Sequence, residues 1–157
     1  LANGTLDAHG NPTIGSGVKL SNTNGYGYYV RMKGKGFGAA GEKITYQIDY
    51  GHCEGFIDPN GDGTVMDFEE MHAYGKAKGW KVDGKTVKVP GTVSYGVYVG
   101  TCGGDRRMKG AGNSLGKHLH MTIKVGGEPQ DPQLMVQDYY VAPGGGKNDH
   151  FDTGGNG

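Results

Sequence analysis

The chain has 157 residues, enough for one domain with a buried core, and its 33 glycines are about three times the average usage. Basic and acidic side chains each number 16, so the formal net charge of zero argues against nucleic acid as a partner. No apolar run approaches the roughly 18 residues of a membrane span, and no signal-peptide pattern is present. Because the first residue is Leu1, we expect a processed product, an excised domain or part of a longer chain.

Short alternating segments separated by glycine-rich turns predict a mainly β, antiparallel fold. In the clearest of them, Ile44 and Ile48 fall on one face, whereas Gln47 and Asp49 fall on the other. Glycines interrupt the segment 33–43 and predict a hairpin or loop there. The predicted strands are 17–20, 26–33, 44–52, 86–89, 94–100 and 117–125.

One helix is predicted at 67–78, where Gly79 follows the last helical residue. The C-terminal residues 143–157 are rich in glycine and polar side chains and predict a flexible, extended tail. The chain is therefore expected to fold as one domain over 1–142, with the helix inside an insertion at 58–79.

The segment DPNGDGTVMDFE, 58–69, matches the twelve-residue calcium loop of EF-hands at each defining position. A polar surface turn is the alternative, but it would not require Val65 and Glu69 at the eighth and twelfth positions. Because the preceding residues look like the end of a strand, we expect an isolated calcium loop with a structural role, not a paired sensor. The expected ligands are Asp58, Asn60, Asp62, Thr64 and Glu69.

The segment GKHLHMTI, 116–123, places His118 and His120 on the same face of one strand, about 6.5–7 Å apart along it. At this spacing one imidazole can bind a metal while the other reaches the water on that metal. A surface strand with two solvated imidazoles is the alternative. The metal site is favoured by the glycine-rich approach GNSLGK and by the turn VGGEPQDP that follows.

Together, VSYGVYVGTCGG and GNSLGKHLHMTIKVGGEPQDPQL resemble the C-terminal half of the lysostaphin-like zinc metallopeptidases, which cut peptide bonds in bacterial peptidoglycan. That family has a His-x-His strand after a glycine-rich turn, then an Asp-Pro, and an earlier Tyr-x-His strand that Tyr50 to His52 matches. The resemblance covers roughly residues 15–135, apart from the calcium insertion. It implies an antiparallel β-sheet domain with 26–33, 44–52 and 117–125 in one sheet.

The resemblance also implies a role for each site residue. His120 would be a zinc ligand, and His118 would be the general base that deprotonates the zinc-bound water. His52 would stabilise the negative charge on the tetrahedral intermediate, and Asp7 would be the carboxylate ligand. Zinc in such a site lowers the pKa of its water to near 7, and it needs three protein ligands and an open fourth position.

The first ligand motif of that family, His-x-x-x-Asp, is incomplete in this chain. Its counterpart NGTLD supplies Asp7 but has Asn3 in place of the histidine, and a neutral amide oxygen is a poor zinc ligand. Two alternatives stay open: His9 substitutes after a backbone rearrangement, or the true motif lies upstream of Leu1. The residues expected to converge on one cleft, with Asn3 or His9 close by, are Asp7, His52, His118 and His120.

The two cysteines, Cys53 and Cys102, are too few to define a disulfide scaffold, and their spacing does not show whether they pair. Both follow strands expected to flank the same site, and a calcium loop suits an oxidising compartment. We therefore predict a disulfide between them.

Two functions remain open. The first is a zinc endopeptidase acting on peptidoglycan peptides, which the three site histidines favour. The second is an inactive structural or binding module on the same fold, such as a phage-tail or extracellular assembly component, which Asn3 and the glycine-rich, polar composition favour. In both cases the expected location is extracellular, at the cell surface or in a virion, and the expected partners are peptidoglycan peptides or other subunits.

Overall fold

The computed structural model describes residues 7, 9, 14–91, 96–132 and 151–152, and within them the chain forms two sheets and one helix. The helix is α1 (Phe68–Ala77). The strands are β1 (Ile14–Thr23), β2 (Gly27–Phe37), β3 (Lys43–Gly51), β4 (Cys53–Ile57), β5 (Val65–Met66), β6 (Lys81–Val82), β7 (Thr86–Val89), β8 (Gly100–Cys102), β9 (Leu119–Val125), β10 (Glu128–Gln130) and β11 (Phe151–Asp152).

The large sheet has eight strands, in the order β10-β9-β3-β2-β1-β7-β6, with β11 also paired to β9. The small sheet has the order β5-β4-β8. Every pair is antiparallel except β9 with β11. The predicted mainly β fold is confirmed, and so is the shared sheet of the segments that became β2, β3 and β9.

The core lies on one face of the large sheet, because side chains alternate along each strand. In β3, Tyr46, Ile48 and Tyr50 are buried, whereas Thr45 is exposed and Gln47 is half-buried. The residues that β1, β2, β7 and β9 add to this core are Val18, Leu20, Tyr28, Val30, Met32, Val87, Val89, Leu119, Met121 and Ile123. The opposite face of the sheet is polar.

The small sheet and α1 cover the apolar face. Phe56 of β4 and Met71 of α1 are fully buried, and Met66 and Phe68 join them in the same core. Strand β4 connects two regions of interest, since His52 directly precedes it and Asp58 directly follows it.

The helix begins as the sequence predicts. Asp67 is its N-cap: its side chain accepts the backbone N–H of Glu70 at 2.8 Å, and the Glu70 side chain accepts the backbone N–H of Asp67 at 3.2 Å. This capping box satisfies two N–H groups that the first turn would otherwise leave without a partner. None of the described helices is long and apolar enough to cross a membrane.

Three segments differ from the sequence expectations. Strand β2 continues through Gly34 and Gly36 because both lie in its ladder with β3, so the predicted interruption begins only at Gly38. Of the strand predicted at 94–100, only Gly100 lies in an observed strand, β8, which continues to Cys102, and residues 92–95 lie outside the described part. In the predicted tail, the two described residues form β11.

Candidate functional site

Three histidines meet at one end of the large sheet. His52 follows β3, His120 lies in β9 opposite Gly51, and His118 forms a bridge with Gly103 just before β9. The ring centroid of His52 is 4.9 Å from that of His118 and 5.7 Å from that of His120. The structure therefore brings together the three histidines that the sequence singled out.

His52 occupies an unusual backbone conformation. Its φ is +58°, and it is the only residue other than glycine with positive φ within the described ranges. The left-handed region costs about 1 kcal/mol or more for a residue with a Cβ, and such residues concentrate at functional sites. The backbone N–H of His52 donates to Tyr26 O at 2.9 Å, which holds the turn where the chain leaves the large sheet for the small one.

Hydrogen bonds to backbone carbonyls orient two of the imidazoles. His52 Nδ1 donates to Ala111 O at 2.7 Å, and His118 Nδ1 donates to Gly116 O at 2.8 Å. A carbonyl oxygen only accepts, so both Nδ1 atoms carry the proton, and each neutral ring has its lone pair on Nε2. His118 can therefore act as a base through Nε2, whereas His52 can donate from Nε2 only when its ring is cationic.

His120 has a different set of contacts. Its Nε2 lies 3.5 Å from Thr122 Oγ1, and that hydroxyl lies 3.3 Å from the hydroxyl of Tyr26. The Tyr26 ring packs against His120 at a centroid distance of 4.9 Å and against His52 at 6.2 Å. Sequence reasoning missed Tyr26 as a site residue, although it is the first residue of the strand predicted at 26–33.

The loop 103–118, which we call the glycine loop, positions the histidines from the other side. Gly110 O accepts the backbone N–H of Tyr28 at 3.0 Å, and Ser114 Oγ donates to Gly104 O at 2.7 Å. A Cβ on Gly110 would overlap Cys53 O and reach 2.6 Å from the buried ring of Tyr28. This close backbone packing explains part of the high glycine content, because any side chain there would push the loop away.

Asp7 does not join the histidines, which corrects the predicted convergence. Its Oδ2 accepts the backbone N–H of Phe37 at 3.3 Å, and its Oδ1 accepts the backbone N–H of His9 at 2.9 Å. Phe37 ends β2, at the opposite end from Tyr26, so about 30 Å of strand separates Asp7 from the histidines. The carboxylate satisfies backbone donors at that end of the sheet, and His9 lies with it. Asn3 lies outside the described residues.

The described residues do not complete a zinc site. Imidazole nitrogens are suitable zinc donors, but a catalytic site needs three protein ligands. Within residues 7, 9, 14–91, 96–132 and 151–152, no group of three or more His, Cys, Asp or Glu side chains has an arrangement that could hold a metal ion. The missing contribution is the carboxylate expected from Asp7.

The predicted calcium loop has its oxygens engaged in hydrogen bonds. Asp58 is buried, and its carboxylate accepts the backbone N–H of Asn60 at 2.9 Å and the hydroxyl of Tyr74 at 2.7 Å. Asp62 accepts the backbone N–H of Thr64 at 3.0 Å and the hydroxyl of the same residue at 2.6 Å. Gly63 has φ of +88°, as the sixth position of such a loop requires.

The closing residue of that loop points elsewhere in this structure. Glu69 lies in the first turn of α1, and its Oε2 accepts the hydroxyl of Tyr28 at 3.4 Å and lies 4.0 Å from Lys109 Nζ. Calcium binding at Asp58, Asn60, Asp62, Thr64 and Glu69 would therefore require Glu69 to exchange these contacts for the cation.

The predicted disulfide is absent, and both cysteines are free thiols. Cys53 and Cys102 nevertheless lie directly opposite each other in the β4–β8 pair. Burial raises the pKa of the Cys53 thiol to about 12, and burial also raises the pKa of Cys102. Both thiols are therefore protonated and unreactive at neutral pH.

No protein-family model, no curated protein and no solved structure matches this chain.

Proposed function

We propose that this chain is an extracellular, peptidoglycan-directed endopeptidase of the lysostaphin-like type, with His52, His118 and His120 at its centre. The supporting observation is that the rings of His118 and His120, from one segment, lie with their centroids 4.9 and 5.7 Å from that of His52, which comes from a separate segment of the chain. The positions of these histidines in the sequence do not by themselves require the rings to lie close together, whereas a peptidase of this kind does require it.

The hydrogen bonds assign a different task to each of two rings. His118 has its Nδ1 proton fixed by Gly116 O, so its Nε2 is suited to take a proton from an attacking water. His52, fixed by Ala111 O, donates to a developing oxyanion from Nε2 in its imidazolium form.

A second function, an inactive binding module on the same fold, is favoured by the position of Asp7. The carboxylate that the peptidase family uses as a ligand lies at the other end of β2 here. Such a module would bind peptidoglycan peptides, or other subunits of an extracellular assembly, without cutting them.

Two measurements on the purified chain separate these functions. Release of new amino groups from purified peptidoglycan should be detected for the wild type and be lost in His118→Ala and in His52→Ala. His72→Ala, on the surface of α1, is the matched control and should keep full activity. Peptidoglycan that co-sediments with the wild-type chain but releases no amino groups would identify the inactive module.

Zinc content is measured separately, after a chelator wash and zinc readdition. The proposal expects zinc to be retained by the wild type and reduced in His120→Ala, with His72→Ala unchanged. If His120→Ala retains as much zinc as the wild type while the wild type hydrolyses peptidoglycan, the histidine centre works without this metal. If neither zinc nor hydrolysis is detected, the peptidase proposal is wrong.

We also propose that the loop 58–69 binds one calcium ion in a structural role. The support is the match at each position of the twelve-residue loop, together with the left-handed Gly63. Calorimetry should show calcium binding that Glu69→Gln weakens strongly, because the bidentate closing carboxylate is lost. Glu54→Gln, an exposed glutamate on β4, is the control. Equal affinity in wild type and Glu69→Gln would show that the loop is only a turn.

A further inference from the structure

Positive charge accumulates on the polar face of the large sheet, although the formal net charge of the whole chain is zero. We call this surface the basic face and define it by seven of its cations, which lie on five strands of the large sheet: Lys19, Arg31, Lys33, Lys35, Lys81, Lys88 and Lys124. Side chains of directly paired residues lie on the same side of a sheet, and so do residues two apart in one strand. The registers therefore place all seven on the face opposite the core.

One row across this face pairs cation with cation three times in succession. Lys81 lies opposite Lys88, Lys88 opposite Lys19, and Lys19 opposite Arg31. Adjacent strands are about 4.8 Å apart, so the four charges fall within about 15 Å. Like charges directly opposite each other destabilise a sheet, so the fold carries an electrostatic cost along this row.

The face contains little negative charge to offset that cost. Among the strand residues on this side whose side chains the structure describes, the only acid is Asp49, which is buried and held by Arg31 through two hydrogen bonds of 2.9 Å. Asp83, in the turn at the edge of the face, is held by Thr86 at 2.7 Å. An anion from outside the chain would therefore lower the repulsion among the lysines.

The face also has a depression of about 330 Å³, large enough for the anionic groups of a ligand. It lies beside the β-bulge of β1, where the register shifts between Gly15 and Val18 and Gly17 has φ of +105°. Its rim carries four of the seven cations, Lys19, Arg31, Lys33 and Lys88. A Cβ at Gly17 would come within 2.8 Å of Val89 O, so the bulge at the edge of this depression requires glycine.

We propose that the basic face binds a linear phosphodiester polymer without bases, such as a polyol-phosphate chain. Lysine ammonium groups bind phosphate as point charges, whereas planar carboxylates are better matched by an arginine fork, and the fork of Arg31 is already taken by Asp49. Single-stranded nucleic acid needs aromatic rings among the cations for base stacking. Three aromatic rings lie on this face: Tyr26 and Tyr29 pack on each other at 5.5 Å at the histidine end, where Tyr29 also lies under Arg31, and Phe37 is exposed at the far end of β2. The strands β1, β7 and β6, which carry the three lysines of the row, contain no aromatic residue.

Binding is tested with inorganic polyphosphate of about 25 units as the probe, by calorimetry over a range of salt concentrations. The wild-type affinity should fall steeply as salt rises. The double variant Lys19→Gln/Lys88→Gln should bind at least tenfold more weakly at low salt. Its salt slope should be smaller by about 1.4, because each phosphate neutralised on a single-stranded polyelectrolyte contributes about 0.7.

The control is Lys76→Gln/Arg106→Gln, which removes the same charge from exposed positions away from the basic face and should bind within twofold of the wild type. Thermal melting of each variant checks that the fold is retained. If the control weakens binding as much as the double variant, net charge and not this face is responsible, and the proposal is wrong. Equal affinity of wild type and double variant also overturns it.

Two further ligands test the chemistry of the partner. Poly-L-glutamate of equal charge should bind more weakly than polyphosphate, and equal binding would overturn the phosphate assignment. Single-stranded DNA that binds more than tenfold tighter than polyphosphate would overturn the choice of a polymer without bases. The inference is independent of the proposed peptidase, because His118→Ala should leave the affinity for polyphosphate unchanged.

Discussion

Gly110 is the position where one methyl group should most directly disturb the histidine site. Its backbone contacts β4 and the first residues of β2, and an added Cβ would overlap Cys53 O and lie 2.6 Å from Tyr28 Cδ2. Neither neighbour can yield easily, because Cys53 O belongs to the backbone and the Tyr28 ring is 1% exposed. In Gly110→Ala the glycine loop must therefore move outward.

The expected loss of stability in Gly110→Ala has two contributions. Inserting a methyl group into a packed interior costs about 1–3 kcal/mol. Movement of the loop also withdraws Ala111 O from His52 Nδ1, now at 2.7 Å, and a lost hydrogen bond contributes about 0.5–1.5 kcal/mol. The free energy of unfolding should decrease by about 2–4 kcal/mol, which for a chain of this size lowers Tm by about 5–15 °C.

Thermal melting followed by circular dichroism measures the loss of stability. NMR of the imidazole nitrogens measures the loss of the hydrogen bond to Ala111 O, since the Nδ1 proton of His52 should exchange faster with water in Gly110→Ala. Gly116→Ala is the matched control in the same loop, because a Cβ there meets nothing within 4 Å. If both variants melt at the same temperature, the close packing of the glycine loop does not position the histidines, and the reasoning is refuted.

Two further predictions concern burial. In urea denaturation, Asp49→Asn should lower the free energy of unfolding by about 1.5–3 kcal/mol, because it removes two charge-assisted hydrogen bonds at a buried carboxylate. The control is Asp105→Asn, which removes a similar two-point contact to an exposed arginine and should have no measurable effect. A similar loss of stability in both variants would contradict this prediction. Cys53 should resist alkylation at pH 8 until the chain is unfolded, and mass spectrometry that finds it oxidised or labelled in the folded chain would contradict its burial. Because its pKa is raised in the folded state, the stability it contributes is complete below about pH 8.5 and declines as pH rises toward 12.

Local patterns in the sequence predicted the sheet and the helix well. The alternation around Ile48 determines which face of β3 is buried, and the Asp67–Glu70 pair determines where α1 begins. The proximity of His52 to His118 and His120 was also predictable, because pairing of β3 with β9 places Gly51 opposite His120. The expectation that β3 and β9 share a sheet came from the resemblance to the peptidase family, and the expected roles of the imidazoles came from the chemistry of histidine.

Long-range contacts without a local pattern could not be predicted. Nothing near Asp7 indicates that its carboxylate accepts the backbone N–H of Phe37, thirty positions along the chain. The approach of Gly110 to Tyr28 is equally invisible in the sequence. The basic face was missed for a different reason, since its lysines come from strands far apart in sequence and the total charge cancels to zero.

The five-residue strand β4 has a mechanical consequence. His52 stands at one of its ends and Asp58 at the other, about 20 Å away, with the buried Phe56 between them. Pairing with both β5 and β8 fixes the acidic end of the strand, and pairing with β8 continues past a register shift to Cys53, so we expect a displacement at the acidic end to reach the imidazole end. Any ligand that immobilises residues 58–69 would thereby narrow the range of positions that the His52 ring samples, without touching it.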